Sequence, residues 1–165
     1  MYKNKQQKLI VLDMDGTIAD LYSVPDWHKC LYETMDESVY LNANPIHNMN
    51  LLNGVLSALR AQGWTIVIDT WLSRTDDPDF HARIEQAKLA WLHKYALPVD
   101  HIIMTKYGVD KWQTIQEYYP GVTAVLVDDS EEIRASWKGY AIDGSTNIIT
   151  QLGTLLLSPV YETER

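Results

Sequence analysis

The chain has 165 residues, which favours one domain, and 46% of them are hydrophobic, within the globular range. Its formal net charge of −8 is opposite to that of a general nucleic-acid binder and argues against stable nucleic-acid binding. The single cysteine, Cys30, rules out an internal disulfide framework and fits a reducing, cytoplasmic setting. No apolar run reaches the ~18 residues of a membrane span, and residues 9–12 are too short a run for a signal peptide.

In chain order, residues 8–12 are apolar and predict a buried strand. Leu51, Leu52, Val55, Leu56 and Leu59 recur at helical spacing over residues 50–59, with Gly63 as C-terminal cap. Residues 64–68 predict a second strand. Asp77 and Pro78 start a helix as N-cap and first-turn residue, and Ile84, Ala87, Trp91, Leu92 and Tyr95 form its apolar stripe. Residues 101–104 predict a third strand, and 108–119 a loop and helix ended by Pro120-Gly121. Residues 122–127 predict a fourth strand, and Ser130, Glu131 and Glu132 cap the next helix. Residues 140–142 offer a fifth strand before a helix near 147–157, and the polar tail 158–165 is expected to fray.

Strands alternating with helices predict an α/β fold: a three-layer, doubly wound parallel sheet in a single domain, residues 1–165, with a short helical lid at 21–50 after the first strand. Such folds bind ligands beyond the carboxyl ends of their strands. There stand Asp13, Met14, Asp15, Gly16 and Thr17 after the first strand, Thr70 after the second, Lys111 beyond the third, and Asp128 and Asp129 after the fourth. Carboxylates gathered at one edge repel one another unless a hard cation neutralises them, and Mg²⁺ suits oxygen ligands. In extended chain Asp13 and Asp15 point the same way and can share one metal and one phosphorus, and Gly16 gives the backbone freedom to turn. Each piece has a plainer reading: Asp-Gly as a turn, Asp128-Asp129-Ser130 as a helix start, the lysine as a surface charge. Their joint occurrence, in order and each at a strand end, carries the functional reading.

The run Asp13-Met14-Asp15-Gly16-Thr17, ending in Asp20, resembles the first motif of the haloacid dehalogenase (HAD) superfamily of phosphatases. Thr70, Lys111 and Asp128-Asp129 match its second, third and fourth motifs. Residues 88–95, Val127-Asp128-Asp129 and residues 137–142 are similar to the 5'(3')-deoxyribonucleotidase-like branch. Residues 71–74 and 107–111 resemble its small phage and bacterial relatives. Three departures stand out. The segment after the first motif is shorter than that branch's cap, Asp69 replaces an apolar strand residue, and Ser130 stands where arginine is frequent.

The resemblance implies a HAD-like Rossmannoid that hydrolyses a small phosphomonoester, a (deoxy)nucleoside monophosphate first. Asp13 would be the nucleophile and Asp15 the acid–base. Thr70 and Lys111 would hold the phosphate, with Lys106 a rival for the lysine role. Mg²⁺ would sit on Asp13, the Asp15 carbonyl, Asp129 directly and Asp128 through water. Met14, Gly16 and Thr17 lie near the phosphate in such a motif, and Asp20 would cap or brace its turn. Tyr22, Trp27 and Trp71, near the motif loops, could stack on a base or sugar. Scattered histidines give no zinc spacing. The alternatives are a polynucleotide 3'-phosphatase and a regulatory protein that binds phosphate without turnover. A signalling receiver would carry its aspartate after the third strand, where Met104 is followed by Thr105.

Overall fold

The computed structural model describes residues 7–157. In chain order, β1 (Lys8–Leu12) is followed by β2 (Ala19–Asp20), α1 (Trp27–Lys29), α2 (Ser38–Asn42), β3 (Asn44–Pro45), α3 (Met49–Ala61), β4 (Trp64–Trp71) and α4 (Pro78–Lys94). Then come β5 (His101–Thr105), α5 (Lys111–Tyr118), β6 (Thr123–Asp128), α6 (Glu131–Ser136), β7 (Ala141–Asp143) and α7 (Ile148–Leu157). The main sheet has the order β5-β4-β1-β6-β7, and every adjacent pair in it is parallel. A strand at the centre of a sheet covered on both faces must be apolar throughout. Leu9, Ile10, Val11 and Leu12 of β1 accordingly have no exposed surface.

Alternate residues of β1 feed two cores. Ile10 and Leu12 pack with Leu52, Leu56, Trp91, Leu152 and Leu155 of α3, α4 and α7. Leu9 and Val11 pack with Ile115 and Trp137 beside α5 and α6. The three layers and doubly wound topology are those the alternating elements predict. From β1 the chain moves outward to β4 and β5, and from β6 it moves the other way to β7. The adjacent ends of β1 and β6 therefore form the switch point, where connections leave toward opposite faces and open a crevice.

Local signals set the helix starts. Asn48 accepts from the amides of Asn50 and Leu51, Asp77 from Phe80, Asp110 from Trp112 and Gln113, and Ser130 from Ile133. Each such cap is worth ~1 kcal/mol. Gly63, at φ +89°, turns the chain after α3 as expected. Strand ends shift where pairing extends them. Trp71 pairs with Thr105, so β4 outruns its predicted end and Thr70 lies inside the strand. β6 ends one residue later than predicted, on Asp128, and β7 starts at Ala141.

The segment after the first motif contains short helical turns, over Leu21–Ser23, α1 with Cys30–Thr34, and α2. It also holds strand β3, which pairs antiparallel with β2. Leu21, Leu31, Val39 and Tyr40 form a small core against Phe80, Ile84 and Ala87 of α4. The expected fraying tail at 158–165 lies outside the described residues. Among the described residues no helix is long and apolar enough to cross a membrane.

Candidate active site

β1 and β6 are in register, with Leu12 opposite Val127, so their next residues, Asp13 and Asp128, emerge side by side at the switch point. α5 begins at Lys111, immediately after its cap Asp110, and this aims the lysine back at the strand ends. Lys111 is buried. Its Nζ donates to Asp13 Oδ1 at 2.6 Å and to Asp128 Oδ2 at 2.9 Å. The other oxygen of Asp128 accepts from the Ser130 amide at 2.9 Å. Burial alone would depress the Lys111 ammonium, but Asp13, Asp128 and Asp69 outweigh it and raise its pKa. Lys106, the rival, is exposed and paired with Asp76 at 3.3 Å.

Asp13, Asp128 and Asp129 bring one carboxylate oxygen each to within 4.8 Å of one another. Burial, then repulsion from Asp13 and Asp128, pushes Asp129 up to about 6. Asp128 is raised as well, by burial and then by Asp13, against the pull of Lys111. Thr17 ties the cluster together, its Oγ1 donating at 3.4 Å toward Asp13 or Asp129 and accepting from the Asp129 amide at 3.1 Å. Gly16 is required twice over. Its φ is +80°, and a Cβ there would collide with the Asp129 carboxylate and the Tyr22 ring. Arg134 Nη1 donates to the carbonyls of Asp128 and Asp129, at 2.8 and 2.7 Å. His47, set aside on sequence, braces the first motif by donating from Nε2 to the Thr17 carbonyl at 2.8 Å.

Asp15 corrects a geometric expectation. It faces the same cavity as Asp13, but its carboxylate lies outside the three-carboxylate group. The chain does not stay extended past Asp13: the Met14 carbonyl accepts from the amides of Thr17, Ile18 and Ala19 in a tight turn. Asp15 is met instead from the opposite face of the sheet by Lys88 of α4. Lys88 is fully buried, and its Nζ donates to Asp15 Oδ2 at 2.6 Å, Thr70 Oγ1 at 2.7 Å and the Trp71 carbonyl at 2.8 Å. Asp15 Oδ1 is buried with no hydrogen-bond partner among the described residues. Burial raises the Asp15 pKa, with Lys88 opposing it. Sequence reasoning missed Lys88. Its signal was a lysine on the buried stripe of α4, four residues after Ile84 and three before Trp91.

Trp71, Tyr22 and Trp27 wall the cavity above the carboxylates, which has a volume of about 260 Å³. Trp27 meets Tyr22 edge-on at 5.1 Å, and Trp71 packs on Tyr107 at 4.8 Å while donating from Nε1 to the Val109 carbonyl. Burial and then the aspartates, Asp129 foremost, raise the Tyr22 hydroxyl pKa. Thr70 is fully buried beneath the cavity, and the Met14 side chain lies in the core. Asp20 stands at the start of the Leu21–Ser23 turn without a side-chain cap, so the capping half of its expected role is not met. Asp69, the departure noted in the sequence, is buried beside this cluster. It accepts from Thr105 Oγ1 at 2.5 Å, and burial pushes it up to about 6, with Lys111 and then Thr105 opposing.

No family model matches the chain, and neither does any curated protein. Solved structures do. One chain of the Pnkp1/Rnl/Hen1 RNA repair complex matches with TM-score 0.55 and 14% identity, over 85% of this chain and 43% of its own length. This chain thus spans less than half of that one. The D,D-heptose 1,7-bisphosphate phosphatase from Burkholderia Thailandensis matches with TM-score 0.51 and 14% identity, over 92% of this chain and 100% of its own. The chain shares their fold. It is the three-layer α/β Rossmann-like sheet that the alternating elements predict, and the likeness is one of architecture.

Proposed function

We propose that this protein is a Mg²⁺-dependent phosphomonoester hydrolase that works through an aspartyl-phosphate on Asp13. The observation that carries the reading is Lys111, buried between Asp13 and Asp128 at the switch point, with Asp129 completing a three-carboxylate group. A donor set of oxygens with like-charge repulsion fits a hard divalent cation. Asp128 already has both oxygens engaged, by Lys111 and Ser130, which favours Asp129 as a direct ligand and Asp128 through water. Asp13 and the Asp15 carbonyl complete the expected set. Bound there, Mg²⁺ would neutralise charge on the phosphoryl oxygens.

In the proposed reaction an Asp13 carboxylate oxygen attacks phosphorus, and the bond to the leaving oxygen breaks. Lys111 fixes Oδ1, which leaves Oδ2, with only its long Thr17 contact, the freer oxygen. Asp15 gives its proton to the leaving oxygen. It then takes one from the water that cleaves the aspartyl-phosphate, releasing phosphate and regenerating Asp13. In the proposed cycle Asp15 rests as the carboxylate partner of Lys88 and takes up its proton when the substrate's charge enters, in the direction burial already pushes it. Thr70 accepts from Lys88 and is fully buried beneath the cavity, so in this fold it holds the Lys88–Asp15 pair. Of the three residues expected near the phosphate, Gly16 and Thr17 spend their backbone amides on the Ala19 and Met14 carbonyls, which leaves the Met14 amide as the one proposed to meet it.

In this reading the segment 21–50 acts as a lid, and Tyr22, Trp27 and Trp71 make a small aromatic-walled chamber above the chemistry. This favours a small phosphomonoester, a (deoxy)nucleoside monophosphate first, in a reducing cytoplasm. A mononucleotide and a 3'-phosphorylated oligonucleotide, assayed side by side with and without Mg²⁺, distinguish this reading from a polynucleotide 3'-phosphatase. Asp13→Asn, which hardly changes volume, is expected to abolish turnover and leave the fold intact. Retention of more than about a tenth of wild-type kcat, a loss under ~1.4 kcal/mol, would remove Asp13 as nucleophile.

A further inference from the structure

The cavity is rich in carboxylates: Asp13, Asp15, Asp128, Asp129 and Glu132 all line it. Two cations line it as well. Lys111 is consumed by Asp13 and Asp128. The other, Arg74, stands on the loop after β4 and has no carboxylate partner among the described residues. Its guanidinium lies 5.5 Å from the centre of the Tyr32 ring and 4.8 Å from that of Tyr107. Tyr32 belongs to the segment after the first motif, and Tyr107 to the loop after β5, where it also packs on Trp71. An arginine lying over two aromatic rings gains cation–π attraction from both, and its N–H groups remain. Those donors are the fork that matches the two oxygens of a carboxylate or a phosphate.

We propose that Arg74 reads a second anionic group on the substrate, so that the favoured phosphomonoester carries another phosphate or a carboxylate beyond the scissile group. This rests on the phosphohydrolase reading of the same cavity and moves its preferred substrate from a plain nucleoside monophosphate to a doubly anionic ester. The guanidinium already lies over two tyrosine rings and its N–H groups take no acceptor among the described residues, so it is left to bind oxygen acceptors. In a cavity this acidic, a ligand with a second negative charge gains from the one cation there that no carboxylate engages.

The test compares kcat/KM of wild type, Arg74→Ala and Arg74→Lys on four phosphomonoesters: an aryl phosphate, a nucleoside 5'-monophosphate, a nucleoside 3',5'-bisphosphate and a phosphorylated hydroxy acid. The wild type should prefer at least one doubly anionic substrate, and Arg74→Ala should cost that substrate about 10- to 100-fold, mostly in KM. Hydrolysis of the aryl phosphate should change less than about threefold by the same criterion. Arg74→Lys should recover part of the preference. Preference for the bisphosphate or for the hydroxy acid tells which anion is read. Equal losses on all four substrates with a lowered Tm would make Arg74 a fastener of the segment and overturn the proposal, as would a wild type without preference. Calorimetric binding to the Asp13→Asn protein separates the two readings. Tighter binding of the doubly anionic ligand, lost when Arg74→Ala is added, upholds this proposal even where no substrate turns over. Turnover without that binding difference sinks it alone.

Discussion

Two buried lysines hold carboxylates of the acidic cavity from opposite faces of the sheet, and they are built differently. Lys111 comes from α5 and meets two carboxylates, with Asp69 close enough to raise its pKa further. Lys88 comes from α4 and meets one carboxylate, Asp15, plus a hydroxyl and a carbonyl. The Tyr40 ring lies 4.7 Å away. Around Lys111 negative charge is in excess, which suits a place where a cation and a phosphate come and go. Around Lys88 charge is balanced and each of the three ammonium N–H groups has an acceptor. In the proposed function the first cluster is where ligands exchange. The second joins Asp15, the end of β4 and the segment carrying Tyr40 into one piece.

If that distinction is right, Lys88→Met should give the largest loss of stability. Removing one partner of a buried pair leaves Asp15 uncompensated and costs ~3–5 kcal/mol. At about 2–4 °C per kcal/mol for a chain of this size, Tm should fall by about 6–20 °C in thermal unfolding. Mg²⁺ should not restore it, because the Asp15 carboxylate lies outside the three-carboxylate group. Recovery of Tm by Mg²⁺ would collapse the two clusters into one.

Lys111→Met should behave in the opposite way. The metal-free variant should be destabilised, yet Mg²⁺ should restore its Tm, since a divalent cation among Asp13, Asp128 and Asp129 replaces the missing charge. Catalysis should not return. The loss of a preorganised cation beside the transferred phosphoryl group is expected to lower kcat by ~10²–10³-fold, ~2.7–4 kcal/mol. A Lys111→Met protein with near wild-type kcat in saturating Mg²⁺ would reduce this lysine to a structural counter-ion.

The same contrast explains what the sequence made legible. Asp13, Lys111, Asp128 and Asp129 stand at or just beyond element ends, where a chain in a parallel sheet must present its side chains to the crevice. Their chain positions alone therefore reveal the cluster. Lys88 sits in mid-helix, and its partner Asp15 is 73 residues away, so only the fold brings them together. The reversal at Met14 that separates the carboxylates of Asp13 and Asp15 is likewise a backbone event that alternation along a strand does not foresee. The strand ends drifted for the same reason: pairing with a neighbour, such as Trp71 with Thr105, decides where extension stops. Arg74, Tyr32 and Tyr107 come from three separate stretches and were invisible as a set.

Trp27 tests the wall of the cavity, with a smaller expected effect. It is half-buried, at the margin of the small core formed by Leu21, Leu31 and Phe80, and it lines the cavity with Tyr22. Trp27→Ala should lower kcat/KM for a nucleotide substrate by ~1–3 kcal/mol, a stacking-sized loss, and barely alter hydrolysis of an aryl phosphate. Equal losses on both, with a reduced Tm, would assign the ring to packing of the segment onto α4.

The smallest effect is the most direct probe of charge excess around Lys111. Asp129 is pushed from 3.8 up to about 6, first by burial and then by Asp13 and Asp128. Between those two values the folded chain holds a proton on this group that the unfolded chain has released. Stability from this group is therefore full below 3.8 and is lost as pH rises through about 6. At pH 7 the metal-free fold carries a charge it would be better without. The full gap is worth ~3 kcal/mol, but Asp129 is partly open to solvent, and screening reduces this to ~1 kcal/mol. Asp129→Asn should thus raise the Tm of the metal-free protein by about 2–4 °C at pH 7 in chelator. The gain should fade toward pH 4, where the wild-type carboxyl is already protonated. In Mg²⁺ the order should reverse, because a ligand that binds the folded state stabilises it in proportion to its affinity, and the variant has lost a carboxylate from the site. No such reversal is expected for Lys88→Met. An Asp129→Asn protein less stable than wild type at pH 7 without metal would mean that the carboxylates around Lys111 are balanced, and the contrast between the two lysines would fail.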